Sequence, residues 1–166
     1  MIKNKFLKIG NEELWLLHAN VEQELKNRGL VRTRNMVGER GEFIVIEFFN
    51  KTKGLPNLQA APQGTQNVDA ISKKGERYSI KTITFPNTTT GVFHDFGEKD
   101  DIKLPDKKFE YVIIVQLNKD YTPNKIIELS WDLFLKYKKW HKRMRAWNLS
   151  ITQNLLKDAS IIFEKK

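Results

Sequence analysis

The chain has 166 residues, 40% hydrophobic and 30% charged, with a net charge of +9 and no cysteine. That length fits one domain with a real core, and the balance excludes a disordered chain. The missing thiols exclude disulfides, zinc–thiolate and iron–sulfur sites and thiol nucleophiles, and the basic excess points first to nucleic acid, ahead of an anionic membrane surface or plain solubilisation.

The N-terminus, Met1-Ile2-Lys3-Asn4-Lys5-Phe6, has no apolar signal-peptide core, and no later apolar run reaches membrane-spanning length. A cytoplasmic protein with no membrane partner is expected. The first helix is expected from about Asn11 to Arg28, capped by Asn11, with Glu12 and Glu13 at its positive end and Gly29 as its stop. Leu14, Leu17, Val21 and Leu25 fall on one stripe, so this helix packs by one face, and Trp15 is expected in the core. A second helix runs from about Gly38 to Asn50. Phe43, Ile44, Val45, Ile46, Phe48 and Phe49 point nearly all round it, the pattern of a mostly buried helix. Glu42 and Glu47 then sit where a charge is costly, while Glu39, at the exposed start, favours the helix dipole.

Leu55 to Ala61 reads as a weak strand. Asn67 to Lys73 and Arg77 to Thr84 read as a hairpin turned by Lys73-Lys74-Gly75, and Thr88 to Lys108 as a long polar loop. Tyr111 to Leu117 is apolar without alternation, which suits a central strand covered on both faces. Ile126 to Leu129 is a further strand. Ser130 caps a helix to about Lys142, with Trp131 in the core, and Asn148 to Lys166 holds a short strand or turn and then a helix. The order predicts an α/β (α+β) fold, a mixed central sheet flanked by helices.

The hairpin brings chemistry together. With a three-residue loop and Gly75 in the left-handed position, Ser72 pairs with Glu76, and Asp69 lies opposite Ser79, diagonal to Lys81. Asp69, Ser79 and Lys81 then share one face, and Val68, Ala70, Tyr78 and Ile80 the other. A two-residue Lys74-Gly75 loop would instead put Asp69 and Lys81 on opposite faces. One carboxylate and one lysine on a sheet are also what a plain cross-strand ion pair needs. Glu42 adds a second carboxylate, and a Mg²⁺ ion shared by Glu42 and Asp69 would satisfy both, with the Ile80 carbonyl as a third ligand. Such an ion neutralises a scissile phosphate and activates water, and Lys81 can position that water or stabilise transition-state charge.

These residues resemble the PD-(D/E)XK nuclease superfamily, the fold of many type II restriction endonucleases. Asn35-Met36-Val37-Gly38-Glu39-Arg40-Gly41-Glu42 looks like its first-helix motif, Asn67-Val68-Asp69-Ala70 like its Asp strand, and Ser79-Ile80-Lys81 stands where the family has (D/E)-x-K. No Pro precedes Asp69, and Ser79 replaces the usual acid and contributes only a hydroxyl. Some members draw that carboxylate from the core helix, the place of Glu42 here. The resemblance implies a restriction-endonuclease-like single domain over residues 1–166. Within it, residues 1–34 form an N-terminal helical region, 35–117 a catalytic core and 118–166 a C-terminal basic, helical region. It implies catalytic Glu42, Asp69, Ser79 and Lys81, metal ligands Glu42, Asp69 and Ile80, and Mg²⁺ as cofactor.

Lys136, Lys138, Lys139, Lys142, Arg143 and Arg145 form a run without an acid, interleaved with Tyr137, Trp140, His141 and Trp147. On a helix they would make a basic face for phosphate contacts, or simply a solvated one. His94 beside Asp95 invites an acid–base role, but the loop from Thr88 suits DNA contact better. His18 and His141 read as structural, and Gln63-Gly64-Thr65-Gln66 leads into Asp69 near enough to approach a phosphate or base. The expected function is a Mg²⁺-dependent endonuclease for double-stranded DNA, of type II restriction type, working as a homodimer because cutting both strands needs two sites. The alternatives are a non-catalytic nucleic-acid-binding module on the same fold, or a nuclease for repair, mobile elements or RNA.

Overall fold

A computed structural model describes residues 6, 8–32 and 35–165. Among the elements whose residues are described, helix α1 (Asn11–Asn27) comes first, and its cap residue is Gly10 rather than Asn11. The side chains of Asn11, Glu12 and Trp15, for which capping, dipole and core roles are expected, lie outside the described residues. The apolar stripe of α1 does not pack along its length. Leu14 and Val21 are exposed and Leu17 is half-buried, while toward the end Leu25 joins Leu30, Val31, Met36 and Tyr121 around a small apolar cavity. Helix α2 (Met36–Lys51) begins two residues earlier than expected because the Asn35 side chain accepts a hydrogen bond from the Gly38 amide at 3.3 Å. Ile44, Val45 and Phe49 are its buried face. Glu47 is exposed and paired with Lys51 at 2.7 Å, so the cost expected for its charge is absent.

The strands are β1 (Leu58–Ala60), β2 (Ala70–Ser72), β3 (Arg77–Thr84), β4 (Tyr111–Leu117) and β5 (Pro123–Ser130). A short helix α3 (Trp131–Tyr137) follows, then β6 (Lys139–His141), β7 (Ala146–Asn148), α4 (Gln153–Asp158) and β8 (Ser160–Glu164). Six strands form one sheet in the order β1-β2-β3-β4-β5-β8, with β3 and β4 parallel and the other neighbours antiparallel. This is the expected mixed sheet with helices on its faces. No helix among the described residues is long and apolar enough to cross a membrane.

The apolar run of β4 is explained by two cores. Val112 and Ile114 enter one, with Phe93, Phe96, Phe109, Trp131 and Phe134. Ile113, Val115 and Leu117 enter the other, with Ile44, Val45 and Phe49 of α2. Successive side chains on a strand point to opposite faces, so a strand buried on both sides is apolar throughout.

The C-terminal third departs from expectation. The helix opened by Ser130 stops at Tyr137, and Lys139–Asn148 folds back as the β6–β7 hairpin. Trp140 and Trp147 face each other across that hairpin with ring centroids 5.1 Å apart, a cross-strand aromatic pair that favours strand over helix. The last helix comes after β7, as the expected order has it, but it is short and a further strand, β8, follows it. Thr152 caps α4, and the β-branched Ile161 and Ile162 suit β8, which pairs with β5 at the sheet edge. The loop from Thr88 to Lys108 has no named helix or strand, yet it is not simply polar, because Phe93 and Phe96 are buried in the aromatic core. His141 lies on β6, not on a helix, and its Nδ1 accepts from the Met144 amide at 3.2 Å.

Candidate active site

The β2–β3 turn decides the geometry. Gly75 has φ +84°, its amide donates to the Ser72 carbonyl at 2.9 Å, and the Ser72 amide donates to Glu76 at 2.8 Å. The loop is therefore the three-residue one, Lys73-Lys74-Gly75. Ala70 stands opposite Tyr78 and Ile71 opposite Arg77, which brings Asp69 level with Ser79.

Asp69 sits just before β2, where the ladder ends. Its amide donates to the Tyr78 carbonyl at 2.8 Å, and its carbonyl accepts from Ala61 at 2.9 Å. Its Oδ2 accepts from the Ile80 amide at 2.6 Å and from the Ser79 hydroxyl at 3.5 Å. The carboxylate thus takes the place of a strand partner on the β3 edge. An N–H and C=O of one residue point to the same side of a strand, so the Ile80 carbonyl faces that edge too.

Helix α2 reaches the same place from one face of the sheet. Gly41 allows the approach: a Cβ there would lie 1.9 Å from Thr82 Oγ1, a buried hydroxyl without a hydrogen-bond partner. Glu39 and Glu42 are three apart and share a helix face. Both line a cavity of about 200 Å³ with Asp69, Arg32, Asn35 and the turn Pro62-Gln63-Gly64-Thr65. Glu39 is therefore no exposed dipole partner. It is 8% exposed, and its carboxylate lies 3.5 Å from the Arg32 guanidinium.

Arg32 also meets Glu42 at 3.0 Å and the Ala61 carbonyl at 3.5 Å. Glu42 is pushed up from 4.5 to about 7, first by burial and then by the charges of Asp69 and Glu39, with Arg32 acting against them. Among the described residues no three His, Asp or Glu side chains group closely enough to hold a metal ion between them. The donors here are the Glu42 and Asp69 carboxylates, with the Ile80 peptide oxygen turned to the adjoining edge of β3, hard ligands of the kind Mg²⁺ takes while keeping its waters.

Lys81 and Ser79 project to the opposite face from α2, with Ile83 of the aromatic core. Ser79 is fully buried, so the expected polar face is in fact a second core. Lys81 Nζ rests 4.9 Å from the Phe93 ring centroid, and Phe93 is fixed by two backbone hydrogen bonds with Trp147, at 2.6 and 3.2 Å. Glu42 and Asp69 are thus brought together in one cavity, and Lys81 stands on β3 two residues beyond Ser79, on the face opposite α2.

The basic run is divided by its hairpin. Lys136 is held by Asp158 at 2.6 Å, Lys138 stacks on Trp147 at 3.9 Å, and Arg145 pairs with Glu98 at 3.1 Å. Lys139, Lys142 and Arg143 are exposed. They lie on β6 and its turn rather than on a helix face. Asp95 accepts from Gln66 at 2.8 Å, which ties the loop after β3 to the approach to Asp69. Sequence reasoning missed Arg32 and Phe93 and misread Glu39. The spacing of Glu39 to Glu42 was the one available signal. Neither a protein-family model nor a curated protein sequence matches the chain.

Proposed function

We propose that this protein is a Mg²⁺-dependent DNA endonuclease of restriction type that cuts double-stranded DNA as a homodimer. The observation that carries this reading is that Glu42 and Asp69 face one cavity beside the open edge of β3. Glu42, Asp69 and the Ile80 carbonyl are the residues that would hold the ion. Bound there, Mg²⁺ supplies charge neutralisation at the phosphate and a more acidic water.

The chain's own groups do the rest. The Ile80 amide fixes the Asp69 carboxylate in orientation. Glu42 carries a charge that burial and two neighbouring carboxylates disfavour, so a cation is welcome there. Lys81 has a flexible stem and a compact ammonium, and from its seat on Phe93 it can turn to a water or a phosphate oxygen at the edge. Lys139, Lys142 and Arg143 supply backbone phosphate contacts. One such site per chain calls for two copies to cut both strands.

The test is incubation of the purified protein with phage and plasmid DNA in Mg²⁺ or EDTA, alongside Asp69→Ala and Lys81→Ala. Discrete Mg²⁺-dependent fragments, lost in both variants while DNA binding remains, are expected. Cleavage that survives both substitutions removes the site assignment. A second reading, a DNA-binding module without catalysis, is favoured by the buried Ser79 in place of an acid and by Lys81 lying on Phe93. It predicts salt-sensitive binding with no metal effect. A role in repair or mobile elements, or on RNA, would use the same site, and substrate profiling separates it from restriction.

A further inference from the structure

One guanidinium occupies the position a metal would compete for. Arg32 lies on the segment between α1 and α2, and its side chain reaches three acceptors at the candidate site. It is 3.0 Å from Glu42, 3.5 Å from Glu39 and 3.5 Å from the carbonyl of Ala61, whose own amide donates to the Asp69 carbonyl. It lines both the Asp69 cavity and the adjoining one formed by Phe43, Ile46 and Ala60. The two glutamates are largely buried, whereas the Arg32 side chain is 38% exposed.

A half-exposed arginine at the mouth of a buried carboxylate pair has two properties. It neutralises charge that would otherwise be unpaired, and it can leave without unpacking a core. We propose that Arg32 is the resident counter-ion of this site, that divalent metal displaces it from Glu42, and that the released guanidinium binds a DNA phosphate beside the scissile one. The inference rests on the endonuclease reading of the same cavity. Arginine is suited to both partners because its planar fork matches carboxylate and phosphate oxygens alike. The exchange couples the two ligands: metal frees the phosphate-binding group, and phosphate keeps it away from the carboxylates.

The test uses the full chain. Calorimetric titration with MgCl₂ alone compares the wild type with Arg32→Ala, Arg32→Lys and Asp69→Ala. Electrophoretic shift of duplex DNA in Mg²⁺ then compares Lys81→Ala with Lys81→Ala carrying Arg32→Ala. Removing a cation from Glu42 should tighten Mg²⁺ binding about tenfold. Loss of one arginine–phosphate contact should weaken DNA binding in Mg²⁺ by about tenfold. Arg32→Lys should keep the metal competition and lose most of the DNA contact, which a merely structural arginine would not do. If Asp69→Ala abolishes Mg²⁺ binding while Arg32→Ala leaves it unchanged or weaker, the metal site stands and the inference falls. If metal binding tightens and DNA binding is unchanged, the phosphate transfer is refuted. If the wild type binds no Mg²⁺, the endonuclease reading fails and this inference with it.

Discussion

Replacing Glu42 by Gln keeps the side chain's shape and removes its charge. In the fold, burial and the neighbouring Asp69 and Glu39 raise this carboxyl from 4.5 to about 7, against the opposing pull of Arg32. A group whose folded pKa lies above its unfolded one stabilises the fold below the unfolded value, and that contribution is lost as the pH rises through the folded one. The window is therefore pH 4.5 to about 7. At full weight the shift corresponds to about 3 kcal/mol. The Glu42 side chain keeps 21% of its exposure, and screening by that water leaves about 1–2 kcal/mol. Without divalent metal, Glu42→Gln should exceed the wild type in stability by that amount above neutrality, and the gap should close toward the acid end of the window. Urea denaturation in EDTA, followed by tryptophan fluorescence across that range, reads it directly. Added Mg²⁺ at alkaline pH should raise the wild-type midpoint and leave the variant's unchanged. A stability gap that does not change with pH, or one of opposite sign, would refute the electrostatic argument.

Other consequences are as definite. Gly41→Ala puts a methyl against Thr82 Oγ1, 1.9 Å from where the Cβ would sit, and should lower stability by about 1–3 kcal/mol in thermal denaturation. An unchanged midpoint would mean that α2 does not seat closely on β3. Glu110 is held down to about 2 by hydrogen bonds from the Arg77 side chain and amide. Its contribution is present above 4.5 and lost as the pH falls toward 2, so Glu110→Gln should flatten the acid limb of the stability profile. Substituting Lys139, Lys142 and Arg143 together by Ala should reduce the salt slope of DNA binding by about 2 to 3. Lys136→Ala should change that slope less, because this ammonium is already engaged by Asp158.

What could be read from the sequence is what depends on local pattern. Gly75 at the turn and the alternation around it gave the register that levels Asp69 with Ser79, and the uninterrupted Tyr111–Leu117 run gave a strand covered on both faces. What escaped depends on long-range packing. The Lys138–Arg145 segment carries helix-compatible lysines and arginines, but pairing of Trp140 with Trp147 makes it a hairpin. Phe93 sits in a stretch of Thr, Gly and Asp, and nothing local says that it will be buried under Lys81. Arg32 is ten positions from Glu42 and belongs to a connecting segment, so only the folded chain shows that the two meet.

The division of charge across the sheet bears on the proposed chemistry. Had Lys81 lain on Asp69, the pair would form an ordinary cross-strand salt bridge, with both members satisfied and neither available. Asp69 is instead held at the open edge of β3 and shares a cavity with Glu42 of α2, where burial and mutual repulsion leave Glu42 short of positive charge even with Arg32 beside it. The lysine is kept on the aromatic side, where a π face holds it more weakly than a carboxylate would. The edge of β3 next to Asp69 is where groups from both faces can meet a third body. A cation answers the first side and a phosphate the second, and phosphodiester cleavage assisted by a divalent ion brings both together. That complementarity, rather than the Ser-Ile-Lys tripeptide alone, is the physical case for a nuclease.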